Sequence, residues 1–435
     1  MGDGEDDRIS DLHDDLLGKI ISRLPVKEAA RTAALASRWR HLWRSTPLVL
    51  SDDDFPEPTR AATVARVLAD HPGPFSNVII NHCRFVTLSP ELAEWPRLLA
   101  AKAIQAVAFV NPTGARGPRL CLPADILRCA SLKQLILACW TIPDHLSRSL
   151  VAFPNLRRLT MVYITVSDQD LGHLLAASPV LEVLVLAFPI KRFHLRSQSL
   201  RSVLVYPVEE FAVVEAPLLE RLILSKLSYG ADPVRVKIAS TSNLLALGYI
   251  EPLKHKLQIN DNTIKPDTVA SPSTVVPGIK ILALKVNCSV LQEVKMVPSL
   301  LRCFPNVHTL HIQSVICDPS ETGNESNGEH HARFWQEATP VKTSHIKRMF
   351  FHKFRGHHDE LEFLRFVVRD AKALQSLVLV PSKEYFLSAE ELKEMIDKLV
   401  CPWFRGSTSE VLLVKVENDW SPVKASNLAI DDPFC

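Results

Sequence analysis

The sequence predicts an α/β protein in which three short N-terminal helices precede an irregular repeat solenoid with a curved parallel sheet. Two patterns carry this prediction: apolar residues at helical spacing over the first fifty residues, and a recurring LxxLxL pattern over most of the remaining chain. A chain of 435 residues with 47% hydrophobic side chains can bury a sizeable core. The 50 basic and 48 acidic side chains nearly cancel, so no net field would gather phosphates, which argues against bulk nucleic-acid binding.

The first fifty residues divide into three amphipathic helices. The first carries an apolar stripe of residues at intervals of four: Leu12, Leu16, Ile20 and Leu24. Pro25 is expected to end this helix, alanines predict a second one, and Trp39 and Trp43 mark the apolar face of a third. Three such helices form too small a core to stand alone. An apolar surface is therefore left over, and it should bind another protein.

The order of these residues resembles an F-box, as found in plant F-box proteins with leucine-rich repeats. The resemblance covers residues 8–50 and rests on Leu-Leu, Ile, Leu-Pro, Arg-Trp-Arg and Leu-Trp in the expected order. In that family the motif docks on the Skp-type adaptor of a cullin ubiquitin ligase. The resemblance implies adaptor contacts at nine positions: Leu12, His13, Leu16, Leu17, Ile20, Leu24, Pro25, Val26 and Trp39. Family members usually carry proline where this chain has His13.

The LxxLxL pattern, with other apolar residues allowed, recurs along most of the chain. It begins at Phe75, Ile104, Leu132, Leu156, Leu181, Leu200, Leu219, Leu244, Ile279, Val307, Ile346, Leu374 and Val411. Up to Leu244 the spacings cluster around the roughly 20 to 29 residues of a leucine-rich repeat. Ordinary buried parallel strands would give the same pattern. Two polar stretches, 251–278 and 317–344, predict insertions between repeats.

Helices are predicted between the strands and near the C-terminal end. Ser167 is the expected N-cap of one connecting helix, and residues 57–71 predict another. Residues 344–380 resemble the FBD region of the same plant proteins: a strand, a Phe-Arg-Gly turn, a helix and a second strand. A capping box at Ser388 and Glu391 predicts a last helix. The predicted domains are an F-box at 8–50, a helical linker at 51–74, a leucine-rich-repeat solenoid at 75–343, an FBD-like region and cap at 344–416, and a tail at 417–435.

The common catalytic motifs are absent from the sequence. GxxxxGK[ST], GxGxxG, HExxH and GxSxG do not occur, so the usual phosphate, dinucleotide, zinc-protease and serine-hydrolase signatures are missing. The nine cysteines contain no CxxC pair and predict reduced, buried thiols. The adjacent histidines at 330–331 and 357–358 predict solvated loops rather than metal ligands. We therefore expect no cofactor, no metal and no catalysis by this chain.

The resemblance implies a substrate-recognition subunit of an SCF-type cullin ubiquitin ligase. The F-box would bind the Skp-type adaptor and, through it, the cullin, while the repeats would bind a target protein, with or without a small ligand. His13 keeps an alternative open: a non-degradative protein-binding scaffold with weakened adaptor affinity. The acidic N-terminus and the lack of a membrane-length apolar stretch predict a protein of the cytoplasm or nucleus, with no membrane contact.

The target site is expected on the concave side of the repeats. The fifth template position gives an uncharged row there, suited to an apolar peptide or small ligand: Ile136, Thr160, Val185, Leu204, Ile223 and Gly248. If a loop or helix covers this row, the target would bind to the flanking row of strand residues instead. Arg158, Tyr206 and Arg221 in that row are of the residue types enriched at binding hot spots. The predicted target-binding residues are therefore Arg158, Leu204, Tyr206 and Arg221.

Overall fold

The computed structural model describes most of the chain. The described residues are 9, 11–87, 90–115, 117, 119–146, 151–224, 233–239, 242–315, 334, 345–369, 371–382, 410–413 and 421–435. They form two compact units, Met1–Phe188 and Pro189–Cys435. Among the described residues, no helix has both the length and the apolar character needed to cross a membrane.

The first unit begins with the three predicted helices, α1 (Asp14–Ile21), α2 (Val26–Thr32) and α3 (Ser37–Ser45). His13 is the N-cap of α1, because its side chain accepts a hydrogen bond from the backbone N–H of Asp15. Helix α1 ends before Pro25, and Pro25 itself is the N-cap residue of α2. The expectation that Pro25 ends the first helix was therefore wrong by one turn, since proline suits the start of a helix better than its interior.

Parallel strands follow in the first unit: β1 (Leu48–Ser51), β2 (Phe75–Ile80), β3 (Ala106–Val110), β4 (Gln134–Ala138), β5 (Arg158–Val162) and the start of β6 (Val183–Arg196). Each strand pairs with the next in sequence. The register aligns buried apolar side chains in one row across four strands: Val107, Leu135, Leu159 and Leu184. This row is the core of the repeat pattern.

Helices connect several of these strands: α4 (Arg60–Asp70), α5 (Pro90–Ala101) and α6 (Asp168–Ala176). The predicted N-cap of α6 is confirmed, since Ser167 Oγ accepts a hydrogen bond from Asp170 N at 3.0 Å. The linker helix α4 ends at His71, as the sequence predicts. The local sequence therefore located both helices.

The second unit also contains parallel strands. Its main series pairs in the following order: β7 (Ser202–Glu215), β8 (Arg221–Leu224), β10 (Ala246–Ile250), β13 (Ile281–Val286), β14 (Thr309–Ser314), β15 (Arg348–Phe354), β16 (Ser376–Pro381) and β17 (Glu410–Leu413). A side series joins β9 (Val234–Ile238) to β7 and to β11 (His255–Ile259), which pairs with β12 (Asn262–Thr263). The stretch 251–278 is inserted in the main series, as the sequence predicts, because β10 pairs directly with β13, and the insertion contains β11 and β12.

The described helices of the second unit are α7 (Leu291–Cys303), α8 (His358–Val368) and α9 (Pro422–Ala425). The region that resembles an FBD has the predicted order, with β15, a turn at Arg355 and Gly356, α8 and then β16. The capping box at Ser388 and Glu391 and most of the stretch 317–344 lie outside the described residues.

The α/β fold class, with N-terminal helices followed by a parallel sheet, is confirmed. Every LxxLxL start lies at, or within two residues of, the first residue of a strand. The template did not find β1, β9, β11 or β12, since none of these strands has its leucine spacing.

Asp52 ties the turn after β1 to the turn after β2. Its carboxylate is fully buried and accepts hydrogen bonds from three consecutive backbone N–H groups, those of Asn81, His82 and Cys83, at 3.1, 2.8 and 2.7 Å. A buried carboxylate is tolerated because these donors replace its water. The contact fixes β1, which directly follows the N-terminal helices, against the first repeat.

We predict that Asp52→Ala lowers the free energy of unfolding by about 3 kcal/mol, because it leaves buried N–H donors without a partner. Denaturant unfolding of the full chain measures this loss. Asp53→Ala is the matched control, since Asp53 is exposed beside it, and we expect a change within about 0.5 kcal/mol. Equal effects of the two substitutions would contradict the role of Asp52.

Candidate protein-binding surfaces

Helix α1 presents an apolar face that the rest of its unit does not cover. Leu16 and Ile20 are 46% and 41% exposed, whereas Leu17 and Ile21 are fully buried. Residues four apart lie on one side of a helix, so Leu16 and Ile20 form one continuous patch. Leu12 and Leu24, which precede and follow the helix in sequence, are half-buried. This apolar patch has the character of a protein-binding surface.

Helix α3 and strand β1 hold this patch in place. Arg38 of α3 donates hydrogen bonds from Nε to the Asp14 carboxylate and from its terminal nitrogen to the backbone oxygen of Leu12, both at 2.5 Å. Pro25 forms a β-bridge with Val49 in β1. The N-terminal helices are thus fixed to the sheet of the first unit, and α1 is a supported element rather than a loose one.

The predicted adaptor residues divide into three groups by exposure. His13, Leu16, Ile20 and Pro25 are exposed; Leu12 and Leu24 are half-buried; Leu17, Val26 and Trp39 are buried. The three buried side chains pack inside the first unit, so they belong to its core and not to the exposed patch. Their direct contact with an adaptor stays a prediction.

In the second unit the alternation of side chains gives the sheet two different sides. One side is a leucine core, formed in register by Leu222, Leu247, Leu282 and Leu310, all fully buried. The opposite side carries residues of the alternate positions and is called the tail face here: Arg221, Ile223, Gly248, Lys285, His311 and Arg348. Cationic and imidazole groups are therefore placed together on a single side of the sheet.

Residues 421–435 lie on the tail face. The guanidinium of Arg221 donates a hydrogen bond of 2.9 Å to the backbone oxygen of Asn427 and further ones to those of Leu428 and Ile430. Arg221 is only 7% exposed, and burial is the largest cause that lowers its pKa. The backbone oxygens of this segment therefore replace the water that a buried guanidinium requires.

Phe434 fills a slot over Gly248. Its side chain is buried, and a Cβ added at Gly248 would lie 2.9 Å from its Cζ atom and 2.5 Å from the Cβ of Ala283. The ring packs edge-on against Tyr249 with centroids 5.1 Å apart and lies 5.5 Å from the ring of His311. Only glycine at position 248 leaves room for this aromatic ring.

Asp432 binds the tail face through His311. Its Oδ2 lies 3.0 Å from His311 Nε2, and His311 Nδ1 lies 3.0 Å from His352 Nε2. Burial alone would raise the pKa of Asp432, but the hydrogen bond and charge of His311 and the charge of Arg348 lower it below its usual value. The ionised carboxylate is therefore the form that the tail face stabilises.

His311, Asp432 and Cys435 place three possible metal-ligand atoms within 4.8 Å of one another. The carboxylate already bonds to the imidazole and to the thiol, and burial with Asp432 raises the pKa of Cys435 to about 12. These three groups satisfy one another, so the cluster gives no reason to require a metal. His357, in one of the histidine pairs seen in the sequence, caps α8 together with Glu360.

The predicted target-binding residues are now placed as follows. Arg158 in the first unit and Tyr206 in the second are half-buried, whereas Leu204 and Arg221 are buried. Leu204, Ile223 and Gly248 stand in register, as the template predicts. The sequence left open whether another segment covers the uncharged row. In the second unit, residues 427–434 cover this row at Gly248 and bind the neighbouring Arg221. Target binding by the four residues stays a prediction.

The sequence did not reveal the contact between His311 and Asp432, since 121 residues separate them. The only signal was an aromatic residue close to paired acidic residues in a segment that was expected to be a plain tail, Asp-Asp-Pro-Phe. Such a segment has enough apolar surface to dock, but its sequence does not show where.

Three family models match the chain. One for the F-box domain matches residues 9–50, one described as "FBD-associated F-box protein At5g56370, LRR repeats" matches residues 92–312, and one for the FBD matches residues 343–379. The second covers about half of the chain. The three resemblances found in the sequence are thereby confirmed.

Curated relatives from Arabidopsis thaliana show the same organisation. A protein named as FBD-associated F-box protein At3g50710 is 24% identical over 449 residues, which cover 94% of this chain and 100% of the relative. One named as F-box/FBD/LRR-repeat protein At3g49480 is 23% identical, covering 90% of this chain and 92% of the relative. FBD-associated F-box protein At5g60610 is 30% identical over a shorter stretch, 41% of this chain and 46% of the relative.

We predict that acid weakens the second unit through His352. Burial, and then the neighbouring His311, lower the pKa of His352 to about 3. The unfolded chain takes up this proton near pH 6.5, while the folded chain does not. The stabilisation from neutral His352 is therefore complete above about pH 6.5 and is lost progressively as the pH falls toward 3.

Denaturant unfolding at a series of pH values between 7.5 and 4.5 tests this. His352→Gln should give a shallower loss of stability with falling pH than the wild-type chain. His41→Gln, which changes an exposed histidine of α3 in the first unit, should leave the slope unchanged. An unchanged slope in His352→Gln would show that another group carries the pH dependence.

Proposed function

This chain belongs to the FBD-associated F-box proteins with leucine-rich repeats, and from that membership we propose that it is the substrate-recognition subunit of an SCF-type cullin ubiquitin ligase. In this proposal the N-terminal helices bind a Skp-type adaptor and, through it, the cullin, while the repeats bind a target protein. The observation that carries the proposal is the exposed apolar patch of Leu16 and Ile20 on a supported helix.

The chain acts by bringing reactants together. A target held by the repeats shares one complex with the enzyme that carries activated ubiquitin, which raises the effective concentration of the two. The chain supplies binding surfaces, and other subunits carry out the transfer. The described cysteines are free thiols, as in proteins of reducing compartments, which supports a location in the cytoplasm or nucleus.

The patch can supply adaptor affinity because it is apolar and already ordered. Removing a large aliphatic side chain from water stabilises a complex by about 1.5–3 kcal/mol when the whole side chain is buried. Leu16 and Ile20 are each partly covered in the free chain, so each contributes a part of that range. Because Arg38 and Asp14 already fix the start of α1, little ordering entropy opposes binding.

A second candidate function is a protein-binding scaffold that works without degradation, and His13 is the observation that favours it. The family usually has proline at this position. His13 has a φ of −63°, which is the value that a proline ring imposes, so proline would fit here without strain. The hydrogen bond from Asp15 N to the His13 side chain is long, at 3.4 Å, and contributes little as a cap.

We predict that Leu16→Asp with Ile20→Asp weakens binding of a purified Skp-type adaptor at least a hundredfold. Each carboxylate would have to lose its water on docking without gaining a partner, and about 1.4 kcal/mol corresponds to a tenfold change in affinity. Isothermal titration of the full chain measures the effect.

The matched control is Val86→Asp, which places the same charge on an exposed valine of the same unit outside α1. Both variants should melt like the wild-type chain. Adaptor binding should be normal in the control. Normal binding by the double variant would refute the assignment of the patch.

A further prediction separates the two candidate functions. If the chain is a ligase subunit, wild-type binding is tight already and His13→Pro changes the dissociation constant by less than tenfold. If His13 has weakened the F-box, the proline variant binds at least tenfold more tightly. The same titration, run on both proteins, decides between a ligase subunit and a scaffold.

A further inference from the structure

We propose that the tail face is the target-binding site of this receptor and that residues 427–434 occupy it in place of a target. The target segment would carry a carboxylate two residues before an aromatic side chain, as Asp432 and Phe434 do in this chain. The inference rests on the proposed function and adds the class of target to it. It also makes the C-terminal segment an autoinhibitory element, because a target must displace it.

Arg221 holds the segment through the segment's backbone. Its guanidinium donates hydrogen bonds to the backbone oxygens of Asn427, Leu428 and Ile430. Any peptide offers such oxygens, so Arg221 selects an irregular or extended backbone rather than a particular side chain. A buried guanidinium without those oxygens would be costly, which means that this side of the sheet is built to be occupied by a peptide.

Phe434 lies in an aromatic slot on the tail face. Gly248 leaves a space that a Cβ would fill, with Tyr249 and His311 on its walls, and Phe434 occupies it. An edge-to-face aromatic pair is stabilising beyond the burial of the ring itself. A target segment that enters this slot is therefore expected to carry an aromatic side chain.

The charges on the tail face favour a carboxylate at the position of Asp432. Asp432 accepts from His311, and the charges of His311 and Arg348 favour its ionised form. A carboxylate two residues before the aromatic side chain meets these groups, and the N–H of Phe434 donates to the same carboxylate at 3.1 Å. Acidic partners are favoured over basic ones.

The segment can leave the tail face without breaking hydrogen bonds between the strands of the sheet. Residues 421–435 form a short helix and turns but no strand, and the side chains of Arg221 and His311 bind them to the sheet. The ladder bonds of β8, β10, β13 and β14 and the leucine core behind them do not involve it. A tethered segment competes at millimolar effective concentration, so a free target needs higher affinity or a weakened tail.

The experiment uses a fluorescent peptide of residues 421–435 and measures its anisotropy with the full chain. The wild-type chain should bind it weakly, since its own tail fills the site. The chain with Asp432→Asn and Phe434→Ala should bind at least tenfold more tightly and still melt cooperatively. No gain in a folded double variant would overturn the proposal.

A chain that ends at residue 420 is the second variant. If the double variant fails to fold, this chain should fold and bind the peptide. If both variants fail to fold, the segment is a permanent part of the core, and the proposal is equally overturned.

Peptide variants give the matched controls. Asp431 is exposed whereas Asp432 is buried, so an Asp431→Asn peptide should bind the tail-weakened chain within twofold of the unchanged peptide. Asp432→Asn and Phe434→Ala peptides should bind at least tenfold more weakly. Equal losses for the two asparagine peptides would show general charge attraction and contradict a specific site.

Adaptor titration of the same proteins separates this inference from the proposed function. Peptide binding that fails while the adaptor still binds refutes only the assignment of the tail face. Adaptor binding that fails while the peptide binds refutes the ligase role and leaves a peptide-binding protein.

Discussion

The structure depends on the in-register stacking of short parallel strands. Each strand has leucine or another apolar residue at alternate positions, and one strand alone cannot bury them. Stacking aligns them into rows such as Val107, Leu135 and Leu159 in the first unit and Leu222, Leu247 and Leu282 in the second. This apolar burial is the main contribution that favours folding. The strands therefore keep the same register although their connections vary from tight turns to whole helices and include a side series of strands.

The same alternation determines what is available for binding. Once one side of the second unit's sheet is committed to the leucine core, residues at the other positions must face the opposite side, and there Arg221 and His311 are paired by residues 427–434. In the first unit, β1 joins the sheet directly after the three helices, so the exposed patch on α1 is carried by a rigid support. Both surfaces are consequences of how the chain buries its leucines.

The sequence predicts the parts of this fold that depend on local pattern. Ser167 and His71 correctly marked helix ends, and the LxxLxL starts found the strands that carry the leucine core. Strands β9 and β11 were missed because residues such as Val-Arg-Val-Lys-Ile alternate in a way that a template based on leucine spacing does not detect. The docking of Asp432 and Phe434 could not be predicted, because it depends on which distant residues the completed sheet brings together.

We propose that an ordered apolar patch on α1 makes this chain the receptor of a ligase complex. Calorimetric titration of the full chain with a purified Skp-type adaptor at several temperatures tests this. We expect a one-to-one complex and a binding enthalpy that becomes more negative on warming, because burial of apolar surface gives a negative heat-capacity change. Absence of binding, or binding with no change in heat capacity, would contradict it.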